Sequence, residues 1–516
     1  MKYVSVSQMI GIEKAADAAG HSYDAMMEAA GKGLAEVIHE RYGSSGSRRV
    51  TALVGSGNNG GDALVALDYL LKWGWIAGVI LLRERSVSDP LIKRVMDNGA
   101  ATHEFLDPSQ SRTDLKTEFL QSDILIDGVL GTGIKLPLRP PLDQIMSTVK
   151  EVVDRLEEHP SIVAVDCPSG VDCDTGQVSP HSMNADLTVT MAAIKAGTLK
   201  FPAYEYLGEL VCVNIGLPAG LSEYDRITRE VIDKEWVYSR LPARSPSAHK
   251  GTFGTSLVIA GSVEFPGAVV LAGRSAYRIG SGLVTLAVPK TIYQGLIESL
   301  PEATWVNLAD EGGGIAEKAN DQIRDAVHKP TACLIGPGLG TRSGTRKFLK
   351  KILQLDGLPP LVIDADGLRL LSSLNNWQEI IPQDCVFTPH PGEMSVMTGL
   401  PVEKIQENRI EIAEEFALRW NQVVLLKGAH SVIAAPDGRT KILISGNPAL
   451  ARAGSGDVLA GMITGLIAQG LKPFDAAVSG SWIHARAGEL AEKSKGNSAS
   501  VLAGDISSAI GQVFAD

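Results

Sequence analysis

Two α/β domains in tandem are what this 516-residue sequence predicts, and three observations carry the prediction. The chain is longer than a single hydrophobic core usually organises, so two or more domains are expected. Short apolar runs alternate with helical stretches, and each run closes on a Gly- or Pro-rich turn, the pattern of a parallel sheet covered by helices. The runs form two series with a break between them. VTALV (50–54), GVILL (78–82), DILID (123–127) and SIVAVD (161–166) make the first. TSLVIAG (255–261), LVTLAVP (283–289), ACLIGPG (332–338), LVIDADG (361–367), CVFTPHPG (385–392) and VVLLKG (423–428) make the second. The break starts at Leu217 with a charged, Pro-containing stretch that shows no sheet-like run. The expected organisation is therefore a first domain over 1–216, a linker over 217–240 and a second domain over 241–516.

The first ~45 residues read as helical, with Met27, Ala30, Leu34, Val37 and Ile38 on one face. Composition is that of an ordinary globular protein, 44% hydrophobic and 21% charged, with a formal net charge of −11. That charge argues against a nucleic-acid partner, while backbone N–H groups still allow a bound dinucleotide. No apolar run approaches the ~18 residues of a membrane span, and MKYVSVSQM lacks the apolar segment of a secretory signal. Five cysteines (Cys167, Cys173, Cys212, Cys333, Cys385), an odd number without a CxxC pair, fit a reducing cytoplasm.

The strongest local signal is AGSGDVLAGMITGLIAQG, from Ala453. Gly454, Ser455 and Gly456 lead into a buried helix whose free N–H groups and dipole attract an anion. Asp457, at the first turn, either caps the helix or takes a proton from a hydroxyl attacking a phosphate. Six segments surround this signal in order: KGTFGTSLVIAGS (from Lys250), GPGLG (336–340), DADGL (364–368), TPHPGE (388–393), LKGAHS (426–431) and GNPALARAGSGD (446–457). In these segments the C-terminal half resembles the ribokinase-like superfamily, and within it the ADP-dependent NAD(P)H-hydrate dehydratases. Ser455 stands where relatives often have Thr.

The resemblance implies a hydrated nicotinamide against Ala268, Gly338 and His390-Pro391-Gly392-Glu393, with Asp457 facing its 6-hydroxyl. It implies an adenine nucleotide along Lys427, Gly428, Ala429, His430 and Ser431, then Asn447, Gly454, Ser455 and Gly456. ADP would be the phosphoryl donor, with ATP as the other candidate and Mg2+ accompanying the nucleotide.

In the N-terminal half, VGSGNNGGDALVAL (54–67) spells GxGxxG between a strand and a helix, with Glu84 placed for a dinucleotide fingerprint. The side chains of Asn58, Asn59 and Asp62 crowd that turn, which counts against a dehydrogenase-type cofactor domain. With IDGVLGTGIKLP (126–137), VDCPSGVDCDTG (165–176) and MMEAAGKGLA (26–35), this half resembles the NAD(P)H-hydrate epimerases. Ala63 stands where relatives usually have Gly. The resemblance implies a Rossmann-like fold that binds substrate along Asn58, Asn59, Gly60, Gly61 and Asp62, and along Gly131, Thr132, Gly133, Ile134, Lys135, Leu136 and Pro137. It implies one potassium ion held by Asn59, Asp127 and Ser169, with Asp166 at the nicotinamide ring as acid/base.

The joint expectation is a bifunctional enzyme that epimerises NAD(P)H hydrates at C6 and dehydrates the S form. Its partners would be small molecules and further copies of itself. The competing reading is a ribokinase-like kinase for a vitamin precursor fused to a nucleotide-sensing domain; a non-catalytic sensor is a third. Neither explains both motif sets.

Overall fold

A computed structural model describes residues 1–44, 48–86 and 88–515. The chain divides into two compact units, Met1–Arg229 and Glu230–Asp516.

The first unit is built on seven strands: β1 Arg49–Val54, β2 Ile76–Leu81, β3 Ala101–Glu104, β4 Ile124–Gly128, β5 Ser161–Val165, β6 Leu187–Met191 and β7 Glu209–Val213. Their order is β3-β2-β1-β4-β5-β6-β7, and every pair is parallel. Side chains alternate across the pleat, so each face needs its own cover. Val50, Ala52 and Val54 pack on one face with Leu34 and Ile38 of helix Tyr23–Tyr42 and Leu64, Leu67 and Leu70 of helix Asn58–Lys72. Leu53, Leu125 and Ile162 pack on the other with Phe119, Met146 and Val149. Order reverses between β1 and β4, and in such sheets ligands bind in the crevice at the strands' C-terminal ends beside that switch point.

The helical reading of the first ~45 residues misses the short strand Tyr3–Val4, which pairs with Ile194–Lys195. Helix Tyr23–Tyr42 buries Met26, Gly31 and Ala35 along with Ala30, Leu34 and Ile38, while Met27 and Val37 are half-buried. The predicted face is thus rotated slightly.

The main sheet of the second unit has ten strands: β8 Arg229–Val231, β9 Thr255–Ile259, β10 Leu283–Pro289, β11 Thr304–Leu308, β12 Ala332–Ile335, β13 Leu361–Ile363, β14 Cys385–Phe387, β15 Val423–Leu426, β16 His430–Ala434 and β17 Thr440–Ile444. The order is β8-β17-β16-β15-β14-β13-β12-β9-β10-β11. Strands β9 to β15 pair in parallel, and β16 and β17 add an antiparallel hairpin to the β15 edge. Helices Gly267–Ile279, Ser455–Ala468 and Pro473–Lys495 cover one face, and helices such as Ser343–Leu353 and Arg409–Trp420 the other. Helix Ser455–Ala468 lies hard against Gly267–Ile279: a Cβ at Gly461 would sit 2.1 Å from the Ala272 carbonyl oxygen. The glycine is therefore a packing requirement of the helix that carries Asp457.

The stretch over 217–240, expected as a linker, carries structure. Leu221 and Ile227 are buried in the first unit's core, and Ile232 and Val237 in the second's. The apolar residues in it are too sparse to read as an element, and only the two cores on either side give them partners.

Candidate active sites

In the first unit the predicted loops gather at the C-terminal edge of the sheet. A cleft of about 1210 Å3 is lined by Asn58, Asn59, Gly131, Thr132, Gly133, Ile134 and Lys135, with Arg83, Glu84 and Arg139 adding charge. Gly60, Gly61 and Asp62 continue the helix behind this wall, and Leu136 and Pro137 lie outside the lining. Helix Asn58–Lys72 opens at Gly57 without a side-chain cap, so its first N–H groups stay available to an anion. The 126–137 loop passes directly over Asn59: a Cβ at Gly131 would be 2.3 Å from Asn59 Oδ1.

The structure brings Asn59, Asp127 and Ser169 together. Ser169 donates to both oxygens of Asp127, from N at 2.8 Å and from Oγ at 2.5 Å. Ser169 Oγ also accepts from Leu130 N at 2.8 Å. Asn59 Nδ2 donates to the carbonyls of Leu130 and Val165 at 3.3 and 2.5 Å. Asp127 is 1% exposed, and burial pushes its carboxyl up against the hydrogen bonds from Ser169. Among the described residues no side-chain cation enters that balance. A buried carboxylate among carbonyl and hydroxyl oxygens is a donor set suited to a hard cation of low charge.

Asp166 follows β5 with φ 66°, a left-handed conformation that a non-glycine residue holds only when its surroundings impose it. Its Oδ1 accepts from Thr190 Oγ1 at 3.0 Å, from Met191 N at 2.9 Å and from Lys195 Nζ. Lys195 is 1% exposed; burial works to lower its pKa, and Asp166 outweighs burial and raises it. Lys195 is absent from the sequence prediction. Its signal is a lone cation in the otherwise apolar run MAAIKAG, visible only to a reader who already takes that run as buried.

In the second unit, Asp457 is the third residue of helix Ser455–Ala468, and the cap is Gly454 with φ 87°. The capping alternative for Asp457 therefore fails. Burial, then the neighbouring Asp364, pushes its carboxyl up to about 7, with Lys427 opposing. Lys427 reaches Asp364 Oδ1 at 2.7 Å and Glu393 Oε2 at 4.0 Å. Asp364 Oδ1 also accepts from Thr388 Oγ1 at 2.8 Å. A Cβ at Gly456 would stand 3.4 Å from Lys427 Nζ and 3.9 Å from Asp364 Oδ2, so the helix N-terminus, the lysine and the carboxylates form one site.

His390 and Glu393 reach it from helix Pro391–Thr398, where they form a reciprocal cap. His390 Nδ1 accepts from Gly392 N and Glu393 N, and His390 N donates to Glu393 Oε2. Ala268 and Gly338 lie side by side: a Cβ on Gly338 would lie 3.1 Å from that of Ala268. Gly428 and Ala429 form the exposed turn between β15 and β16, and Arg409 donates to the carbonyls of Leu426, Lys427 and His430 beneath it. The β16–β17 register, His430 opposite Ile444, carries Asn447 to the same end. Ser431 Oγ meets Gly428 N, and Ser455 Oγ meets His484 Nε2 at 3.1 Å. Asp364 and His484 are further residues that motif reading did not assign, since their roles depend on contacts from distant segments.

Comparisons with known proteins divide the chain in the same two parts. Residues 256–512 match the family model described as NAD(P)H-hydrate dehydratase, and residues 23–197 match YjeF-related protein N-terminus. The bifunctional NAD(P)H-hydrate repair enzyme of Moorella thermoacetica is 36% identical over 93% of this chain and 90% of its own length. The enzyme of that name from Escherichia coli is 31% identical over 93% of this chain and 87% of its own. A crystal structure of the ADP/ATP-dependent NAD(P)H-hydrate dehydratase from Bacillus subtilis, co-crystallised with ATP/Mg2+, aligns at TM-score 0.48 and 32% identity, over 55% of this chain and 98% of that one. With such identity along nearly its whole length to enzymes that join the two activities, the chain belongs to the family of bifunctional NAD(P)H-hydrate repair enzymes.

Proposed function

We propose that the two sites act in sequence on hydrated NADH and NADPH, the N-terminal one interconverting the C6 epimers and the C-terminal one dehydrating the S epimer. The observation that carries the reading is Asp457, a half-buried carboxyl pushed up to about 7 beside a helix N-terminus. A general base works best when its pKa lies near the working pH. Asp457 takes the proton of the 6-hydroxyl as that oxygen attacks the terminal phosphoryl of ADP. The backbone at Gly454–Gly456 and the Lys427 ammonium offset the charge on the phosphoryl oxygens. The ring nitrogen's lone pair then expels phosphate, a far better leaving group than hydroxide, and loss of the C5 proton restores NAD(P)H beside AMP and phosphate. ADP is favoured over ATP as donor, and Mg2+ bound with the nucleotide would spread its phosphate charge.

In the N-terminal half, Asn59, Asp127 and Ser169 are the residues that would hold potassium, whose charge would order the loops that bind the substrate phosphates. Substrate lies along Asn58–Asp62 and Gly131–Pro137, with Asp166 at the ring. The halves are read as separable catalytic domains, and the protein as a homo-oligomer. The five cysteines are free, four of them buried, which suits a reducing cytoplasm. Among the described residues no helix is long and apolar enough to cross a membrane.

The test is incubation with mixed R and S hydrates plus ADP or ATP, following reduced-nicotinamide absorbance. Complete recovery with ADP is expected. Replacing potassium, or Asp127→Ala, should slow consumption of the R form by about 10- to 100-fold, the range that loss of groups around a bound metal typically costs. Dehydration of the S form should be unchanged. A stable phosphorylated product would favour the kinase reading instead.

A further inference from the structure

Glu13 lies on helix Val6–Ala18, a segment that contributes no residue to the predicted site. Ser5 caps this helix, Val6 N donates to Asp174 Oδ1 at 2.8 Å, and Met9, Ile12 and Ala16 are buried. The strand just before it pairs Val4 with Lys195. The helix is thereby fixed beside the Lys195–Asp166 pair, and it presents Ile10 and Glu13 to the cleft that Asn58, Asn59 and Gly131–Lys135 also line. Asp62 stands behind, 7% exposed. Among the described residues neither Glu13 nor Asp62 has a hydrogen-bond partner, whereas Asp166 Oδ1 has three donors. Asp166 pairs with the buried Lys195, and Glu13 and Asp62 feel the same cation through space.

We propose that Glu13 is the catalytic acid of the N-terminal site, protonating the departing C6 hydroxyl, while Asp166, positioned by Lys195, takes the proton of the water that adds to the opposite face. The proposal rests on the epimerase reading and supplies what that reading lacks, since inversion by way of hydroxyl loss needs a proton given as well as one taken. The C6–O bond breaks with its electron pair on oxygen, the Glu13 proton completes a water molecule, and the lone pair of N1 forms N1=C6. Water then attacks C6, the N1=C6 pair returns to nitrogen, and the proton released passes to Asp166. One proton has moved from Glu13 to Asp166; exchange with solvent, or the reverse reaction, resets the site.

The groups that face Glu13 fit this division of labour. Burial raises its pKa above the ordinary glutamate value, with Asp166 adding and Lys195 opposing, and burial raises Asp62 well above its own. An acid and a base side by side are recognised by environments that treat their protons differently.

The test uses the full chain with purified R hydrate, separating R from S by chromatography. E13Q keeps the shape without the proton. Its kcat should fall by at least about 100-fold with KM within a few-fold, and E13D should recover part of the rate. Wild-type kcat should decline as pH rises through the raised Glu13 pKa, and E13Q should lack that limb. Near-normal turnover of E13Q, a loss confined to KM, or a descending limb that persists in E13Q would overturn the proposal. Should Gln impair folding, seen as a lowered unfolding transition, E13D carries the test: a wild-type rate and pH profile would overturn the assignment, and a reduced rate with a shifted limb would support it. Absence of any R-to-S conversion by the wild-type chain would instead overturn the epimerase reading beneath it.

Discussion

The two halves place the same parts in the same position and set them differently. In each, a Gly-rich turn leads into a helix N-terminus, and an Asp after a parallel strand meets a lysine: Asp166 with Lys195, Asp364 with Lys427. Lys195 is 1% exposed, whereas the Lys427 side chain is 19% exposed and touches a second carboxylate. The first pair is sealed, suited to holding its aspartate in a strained backbone conformation. The second is open, suited to meeting a ligand's charge. The carboxylate with a pKa near neutrality, Asp457, sits one turn into the anion-binding helix of the C-terminal half. The corresponding N-terminal turn carries the neutral Asn58 and Asn59. Shared architecture therefore does not dictate shared chemistry; the charge placed at the helix start does.

The largest effect expected is at Asp457. Asp457→Asn should lower dehydration by at least about 100-fold while adenine nucleotide binding survives, because the anion site is backbone. Single-turnover recovery of NADH from S hydrate with saturating ADP, beside an ADP titration, measures both. Wild-type dehydration should rise as pH passes about 7, since the base acts only when deprotonated, and the variant's residual rate should lose that rise. Normal turnover in the variant would erase the contrast between the two helix starts.

Lys195→Met comes next and probes the sealed pair. Removing one partner of a buried ion pair costs about 3–5 kcal/mol, so the unfolding transition of the N-terminal unit should fall by that amount and that of the C-terminal unit should stay. An unchanged N-terminal transition would show that Thr190 and Met191 suffice to hold Asp166.

The smallest effect is at His390, where His390→Ala removes a cap and should cost the C-terminal unit about 0.5–2 kcal/mol in denaturant unfolding. Burial lowers the His390 pKa, so the folded state favours the neutral ring whose Nδ1 accepts the cap bonds. That stability is present above the unfolded histidine value and is lost as pH falls through the lower folded one. The alanine variant should lack this acid dependence.

Much of the site was legible because its residues are local. GNNGGD and GSGD each hold a turn, a helix start and the side chains at that start within a few positions, and GTGIKLP holds a whole turn, so periodicity and glycine spacing expose them. Glu13, Lys195 and Asp364 were not legible as site residues, because each matters through a partner elsewhere: Glu13 through a cleft whose other walls come from distant segments, Lys195 through Asp166 and Asp364 through Lys427. The structured halves of 217–240 were missed for the same reason, their few apolar residues having meaning only against two different cores.

By itself the sequence determined the parallel α/β class, the two-part organisation, and the loops that carry Asn59, Asp127, Ser169 and Asp457. Apolar runs and turn residues act over a few bonds, and their period survives without knowledge of neighbours. Only the tertiary structure decided which charges share a low-dielectric space. Burial and Asp364 raise Asp457, and Lys195 is buried against Asp166. Among the described residues no side-chain cation acts on Asp127. Desolvation and Coulomb energies depend on distance through space, which strand order and helix packing set and residue spacing does not.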